Sequence, residues 1–429
     1  MWENEYKREI ARNIVIGIIL VAVLVGLACG YLFVRQQVEQ EDDLLKEVQS
    51  SQWEELSAAR QESKEHVNQV YQQHLNVLAK NIPGVVCWGD SLTSGSSGNV
   101  SYPHTLQKYL DIYISGVYDV RYSLDSIEGL TATDWNDYKI SIPVVNMGAG
   151  RENTATVLGR SGVVPFVVSK EFVIPAEIES VPVKIVSESG KNVTPLIAGD
   201  GGVNPVTIAG VQGTLTRTTK NQKKDQYVYQ FTRLEAGQEV SVEEGTQIIT
   251  AAADAYRDYI HIVWLGTYDG KNLKPEKLVS DIKALLQRQN INKDRYLVIS
   301  PCSYGGSWRA VSTDTMDSFD SAMLQAFGDR YINLRKYLME DGLRDAKLTA
   351  TKKDTKSIAA GYIPDSFRSN ASKTDLNGVA YELLGKLVFD RMDRLGYLDE
   401  VREELNLETI IQDILNTEPK YFENRLNAY

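Results

Sequence analysis

Ser91 is the residue of this chain best placed to do chemistry. An apolar β-type run, Val85-Val86-Cys87-Trp88, passes into Gly89-Asp90-Ser91-Leu92-Thr93-Ser94-Gly95, which predicts a serine where a strand gives way to a loop. Such a serine can attack an acyl carbon if a base takes its proton, a third group orients the base and donors face the developing oxyanion. The chain has four histidines to supply the base. His66 and His74 lie in a Glu-, Gln- and Lys-rich stretch and read as solvated helix-face residues. His261 sits in the apolar run Ile260 to Leu265 and reads as a hydrogen-bonded core residue. His104, after Tyr102-Pro103, could approach the strand ends as a replacement base. Asp365, in Pro364-Asp365-Ser366-Phe367-Arg368, reads as a turn former. No His, Cys and Asp cluster has metal-ligand spacing, and no P-loop or dinucleotide fingerprint is present, so no cofactor or metal is expected.

The elements that must hold Ser91 are legible as an alternation. Strand-like runs at Val85 to Trp88, Pro143 to Val145, Tyr259 to Leu265, Tyr296 to Ser300 and Tyr331 to Leu334 are interleaved with helical stretches. The helices are expected over Tyr102 to Ile112, from Pro275, over Met316 to Phe327 and over Val379 to Leu395. That pattern predicts an α/β domain with a parallel sheet over residues 83–158 and 251–398, whose chemistry gathers at the carboxyl ends of the strands. Residues 159–250 differ in texture. Short β-type runs at Phe166 to Val168, Val181 to Val186, Val206 to Ile208, Tyr227 to Phe231 and Glu239 to Val242 alternate with Gly-, Asn- and Pro-rich turns, which predicts an inserted all-β module. A substrate-contacting lid, a binding module and a packing element are all consistent with it.

Upstream, residues 13–34 form an apolar run with no charge from Ile14 to Val34, long enough to cross a bilayer as a helix. Lys7, Arg8 and Arg12 precede it, and Glu39, Glu41, Asp42 and Asp43 follow, so the positive-inside bias puts residues 1–12 in the cytoplasm and the body outside the cell. Residues 35–82 read as an exposed helical stalk, either a dimeric coiled coil or a single helix packed at its C-terminal end on its own domain. Residues 399–429 read as a helical tail. A net charge of −11 argues against a nucleic-acid partner, and three cysteines, Cys29, Cys87 and Cys302, are too few for a disulfide framework. Cys87 and Cys302 read as buried free thiols.

Gly89-Asp90-Ser91-Leu92 resembles the first block of the SGNH (GDSL) hydrolases, a family of serine esterases and lipases. Val144-Val145-Asn146-Met147-Gly148-Ala149-Gly150-Arg151-Glu152-Asn153-Thr154 resembles the second block, and Val263-Trp264-Leu265-Gly266-Thr267-Tyr268-Asp269-Gly270 the third. Thr374-Asp375-Leu376-Asn377-Gly378 resembles the last. The resemblance implies a flavodoxin-like parallel sheet, with the β insertion similar to one subgroup of bacterial cell-surface members. It also implies a site whose residues are largely replaced. Ser91 keeps the nucleophile position. Asp375 stands where the family has its histidine, and Ser372 where it has its aspartate. Arg151 and Tyr268 stand at the oxyanion positions of a glycine and an asparagine.

A positioned base is worth about 10²–10⁴ in rate and one oxyanion donor about 10²–10³. Loss of both leads to the expectation of a membrane-anchored pseudo-esterase that binds a cell-wall glycan or a surface protein. The alternatives are an active esterase or deacetylase acting on acylated surface polysaccharide through Ser91, and a purely structural body held in an assembly.

Overall fold

The computed structural model describes residues 2–81, 84–95, 100–116, 142–221, 226–269, 273–291, 294–301, 312–369 and 376–404. Among these, the residues up to Tyr71 form one compact unit and those from Gln72 onward another. The first unit is helical. Helix α1 spans Trp2–Asn81, most of it in that unit, and contains one stretch long and apolar enough to cross a membrane. The apolar side chains of that stretch are bare: Ile18, Leu24, Leu27 and Tyr31 are each more than 60% exposed. Beyond it the helix is laced by pairs such as Arg35–Glu39 at one-turn spacing, which suits a solvated surface.

The second unit is built on a five-stranded parallel sheet. Its strands are β1 (Val85–Gly89), β2 (Val144–Gly148), β12 (Ile260–Trp264), β13 (Tyr296–Ile299) and β14 (Tyr331–Ile332), in the order β14-β13-β12-β1-β2. β1 and β12 are buried along their whole length, as a central parallel strand covered on both faces must be. Val86 and Trp88 pack on one face with Val263 and Val298. They meet side chains from α4 (Thr154–Arg160), α5 (Pro275–Gln289) and α6 (Thr313–Phe327). The opposite face receives α3 (Tyr102–Gly116), whose Tyr102 ring lies 5.9 Å from that of Trp264, and α3 is backed by α8 (Gly378–Arg394). The helix α7 (Lys352–Ala359), which no apolar period announces, is started by a capping box between Thr351 and Asp354.

The chain leaves β1 toward β2 on one side, then returns across β1 to β12 and proceeds to β13 on the other. The crevice between the carboxyl ends of β1 and β12 is therefore the point where strand order reverses, the usual ligand position of such sheets.

Residues 159 and 160 belong to helix α4, and the strands from Phe166–Val168 to Gln247–Ile249 form an all-β module. Its seven-stranded sheet has the order β5-β9-β8-β7-β11-β3-β6, all neighbours antiparallel, and β4 (Phe172–Ile174) pairs separately with β10 (Val240–Val242). β3 (Phe166–Val168) and β7 (Val206–Ile208) fall on the expected runs, and β9 covers Gln226–Arg233. The single run foreseen at Val181 to Val186 is two strands, β5 (Ser180–Val183) and β6 (Ile185–Ser187), which break at Lys184 and pair with β9 and β3 respectively. β4, β8 (Val211–Asn221) and β11 (Gln247–Ile249) were not foreseen. β8 is rich in Thr and is stabilised by its long hairpin ladder with β9, not by an apolar pattern. The module has its own core around Phe166, Ile208, Leu215, Phe231 and Ile248.

The module is docked on the loop that follows β2. Gly150 donates its N–H to the Ala198 carbonyl at 2.8 Å, and the Ala252 N–H reaches the Gly202 carbonyl at 2.8 Å. A side chain at Gly150 would meet Ala198 Cβ at 2.7 Å, so the close approach itself requires glycine.

Candidate active-site serine

Ser91 opens the short helix α2 (Ser91–Ser94) directly after β1. The Asp90 carboxylate caps it, accepting the Leu92 N–H at 2.8 Å. Gly148 makes room for this turn at the end of β2, since a Cβ there would lie 2.1 Å from the Ser94 nitrogen.

Three of the sequence-derived site residues come together. The Ser91 hydroxyl donates to the Tyr268 hydroxyl at 2.7 Å and accepts the Arg151 N–H at 3.0 Å. Tyr268 arrives from the loop after β12. That loop is tied to the start of α4 by Asp269, which accepts from the Thr154 N–H at 3.1 Å and from its hydroxyl at 2.5 Å. Burial pushes the Asp269 carboxyl above the usual carboxylate range, and the Thr154 bonds pull it partly back. Arg151 has φ 64°, in the left-handed region that favours glycine, and this conformation turns its N–H onto the serine oxygen. Ser372 and Asp375 lie outside the described residues. Nearby Asn377 caps α8 by accepting the Ala380 N–H at 3.1 Å.

The described imidazoles do not reach Ser91. His261 is fully buried on β12, where its Nδ1 accepts the Trp88 Nε1–H at 3.1 Å. Burial depresses its pKa to about 4 against weaker opposing contacts with backbone carbonyls, so it is a neutral core residue. His104 is exposed on α3 and has no bond to the serine, and the side chains of His66 and His74 lie outside the described residues. Asp365 opens a short 3₁₀ turn and pairs with Arg368 at 3.3 Å. Cys87 is buried, its thiol pushed up to about 12 by burial. Among the described residues no group of acidic, His and Cys side chains is arranged to hold a metal.

Two residues that the sequence did not single out organise this centre. Arg160 and Glu152 are fully buried and paired, Nε to Oε2, at 2.7 Å. The same guanidinium donates to the carbonyls of Gly89 at 2.9 Å, Met147 at 2.5 Å and Gly201 at 2.7 Å. It thereby joins the ends of β1 and β2, the loop bearing Arg151 and the inserted module. Burial raises the Glu152 carboxyl, and Arg160 counteracts that rise. A charge inside the otherwise uncharged Thr154–Arg160 segment was the available signal.

The module also supplies a wall beside the site. A cleft of about 1020 Å³ is lined by Arg151 and Tyr268 together with Lys184, Asn192, Thr194 and Tyr229 of the module.

No protein-family model matches the chain, and no curated protein matches it. Among solved structures it is similar to a chain described as a "Peptidoglycan O-acetylesterase in action", at 12% identity over 76% of this chain and 95% of that one, with a TM-score of 0.27. At that score, what the neighbour does carries no weight for this chain.

The environment of His261 makes a pH test. Between about pH 6.5 and 4 the unfolded chain binds a proton that the folded chain refuses, so stability falls as pH drops through that window. A His261→Asn variant, which keeps an acceptor for Trp88, is expected to lose that slope, worth up to about 3 kcal/mol, in urea melts between pH 7 and 4. An unchanged slope would mean that His261 is not the group responsible.

Proposed function

We propose that this chain is a membrane-tethered binding protein of SGNH-hydrolase type. Its cleft at Ser91 takes a surface glycan without turning it over at an enzyme's rate. The observation that carries this reading is the partner set of the serine hydroxyl: among the described residues it contacts a phenol and a backbone N–H, and neither an imidazole nor a carboxylate. Attack on an acyl carbon needs the hydroxyl proton to go to a base, and a hydroxyl without one remains a donor and acceptor. The sequence supports the same reading, since residue 375 is Asp where the family's histidine would stand and no histidine occurs between Ser300 and the C-terminal end of the sequence.

The tether is the uncharged stretch within α1, with Lys7, Arg8 and Arg12 on its cytoplasmic side. Protease added to intact cells is then expected to digest the body; full protection until the cells are lysed would reverse that orientation.

For the site, the full chain in detergent is expected to hydrolyse p-nitrophenyl acetate no faster than its Ser91→Ala variant, and a fluorophosphonate probe is expected to leave Ser91 unlabelled. Turnover that Ser91→Ala abolishes would overturn the binding reading in favour of an esterase acting on acylated polysaccharide.

A further inference from the structure

Among the described residues, the cleft beside Ser91 carries charge of one sign. Its charged lining among the described residues is Arg151 and Lys184, both cationic, in a chain whose net charge is −11. The two come from different parts of the fold, Arg151 from the loop after β2 and Lys184 from the break between β5 and β6. Both side chains are exposed, and neither enters an ion pair among the described residues. A cleft lined by one sign of charge concentrates ligands of the other.

Arg151 adds a second, independent observation. Its φ of 64° lies in a region that favours glycine, and its contact to Ser91 uses only the backbone N–H. Glycine would make that contact with less backbone strain, so the contact does not account for the guanidinium. A strained position occupied by a bulky cation beside a cleft points to a role for the side chain. The remaining polar lining is uncharged: Ser169, Asn192 and Thr194 offer hydroxyl and amide groups, and Tyr229, whose hydroxyl donates to the Pro195 carbonyl at 3.0 Å, offers a fixed aromatic body. Hydroxyl and amide groups beside aromatic rings suit a hydroxyl-rich ligand, and the two cations suit an acid on it.

We propose that the ligand of this cleft is an acidic glycan segment, its carboxylate or phosphate held by Arg151 and Lys184 and its hydroxyls by the module wall. This deepens the binding reading above and rests on it. Lys184 belongs to the inserted module, so the module sets which glycan the serine-bearing body receives.

The test is titration calorimetry of the full chain in detergent with three probes: oligogalacturonate, neutral dextran oligosaccharide and poly-glutamate. Oligogalacturonate is expected to bind, weakening as salt is raised, while dextran and poly-glutamate bind at least about tenfold more weakly. Arg151→Gly and Lys184→Gln are each expected to weaken oligogalacturonate binding about tenfold. Arg151→Gly suits its backbone and keeps the N–H on Ser91, so its thermal melt should match or exceed that of the parent. Absence of oligogalacturonate binding, equal binding of dextran, equal binding of poly-glutamate, or variants that bind as tightly as the parent would each overturn the proposal. Ester hydrolysis with the charge selectivity intact would instead overturn only the claim of slow turnover.

Discussion

The guanidinium of Arg160 is the point at which this site is held together. Its Nε meets Glu152, and its terminal nitrogens meet the carbonyls of Gly89, Met147 and Gly201, while its centre lies 5.5 Å from the Trp88 ring. Burying a guanidinium is costly unless its donors are satisfied, and breaking a buried pair by removing one partner typically costs about 3–5 kcal/mol. Here the cost is offset because Nε and both terminal nitrogens of the buried guanidinium find acceptors, in Glu152 and in the carbonyls of Gly89, Met147 and Gly201. Gly89 is two residues from Ser91 and Glu152 is next to Arg151, so one side chain fixes the distance between the serine and the N–H that faces it.

From that clamp the arrangement of the second unit follows. The reversal of strand order opens a crevice between β1 and β12 into which Ser91 and Tyr268 project, and Asp269 fastens the Tyr268 loop to α4. The inserted module is part of the same construction. It receives a bond from Arg160 through Gly201, receives the Gly150 N–H through Ala198 and contributes Lys184, Asn192, Thr194 and Tyr229 to the cleft. Of the three roles open to it from sequence, it thus takes part in packing and in lining the cleft.

Part of this architecture is legible in the sequence. The five body strands and the β texture of the inserted residues follow from apolar runs that end in small residues, because a buried strand and the turn after it leave a local signature, whereas Arg151 and Tyr268 are picked out only by the family resemblance. Arg160 left only a lone charge in the otherwise uncharged Thr154–Arg160 segment, and Glu152 left no signature. Their pairing depends on a turn and a helix bringing residues 152 and 160 together, and their other partners are carbonyls, which every residue has. β8 was missed for a related reason: its stability lies in a cross-strand ladder, and its Thr-rich residues lack an apolar alternation. The break at Lys184 was invisible because the residues on both sides, Val183 and Ile185, are apolar and the alternation of exposed and buried residues runs on through it.

The clamp is open to direct measurement by backbone hydrogen exchange on the full chain carrying Arg160→Lys, which keeps the charge and removes the planar fork. The account predicts faster exchange at Gly150 to Glu152 and at Gly202 to Val203, with the amides of β12 and β13 unchanged. Unaltered protection around Arg151, or a uniform loss across the whole sheet, would contradict it.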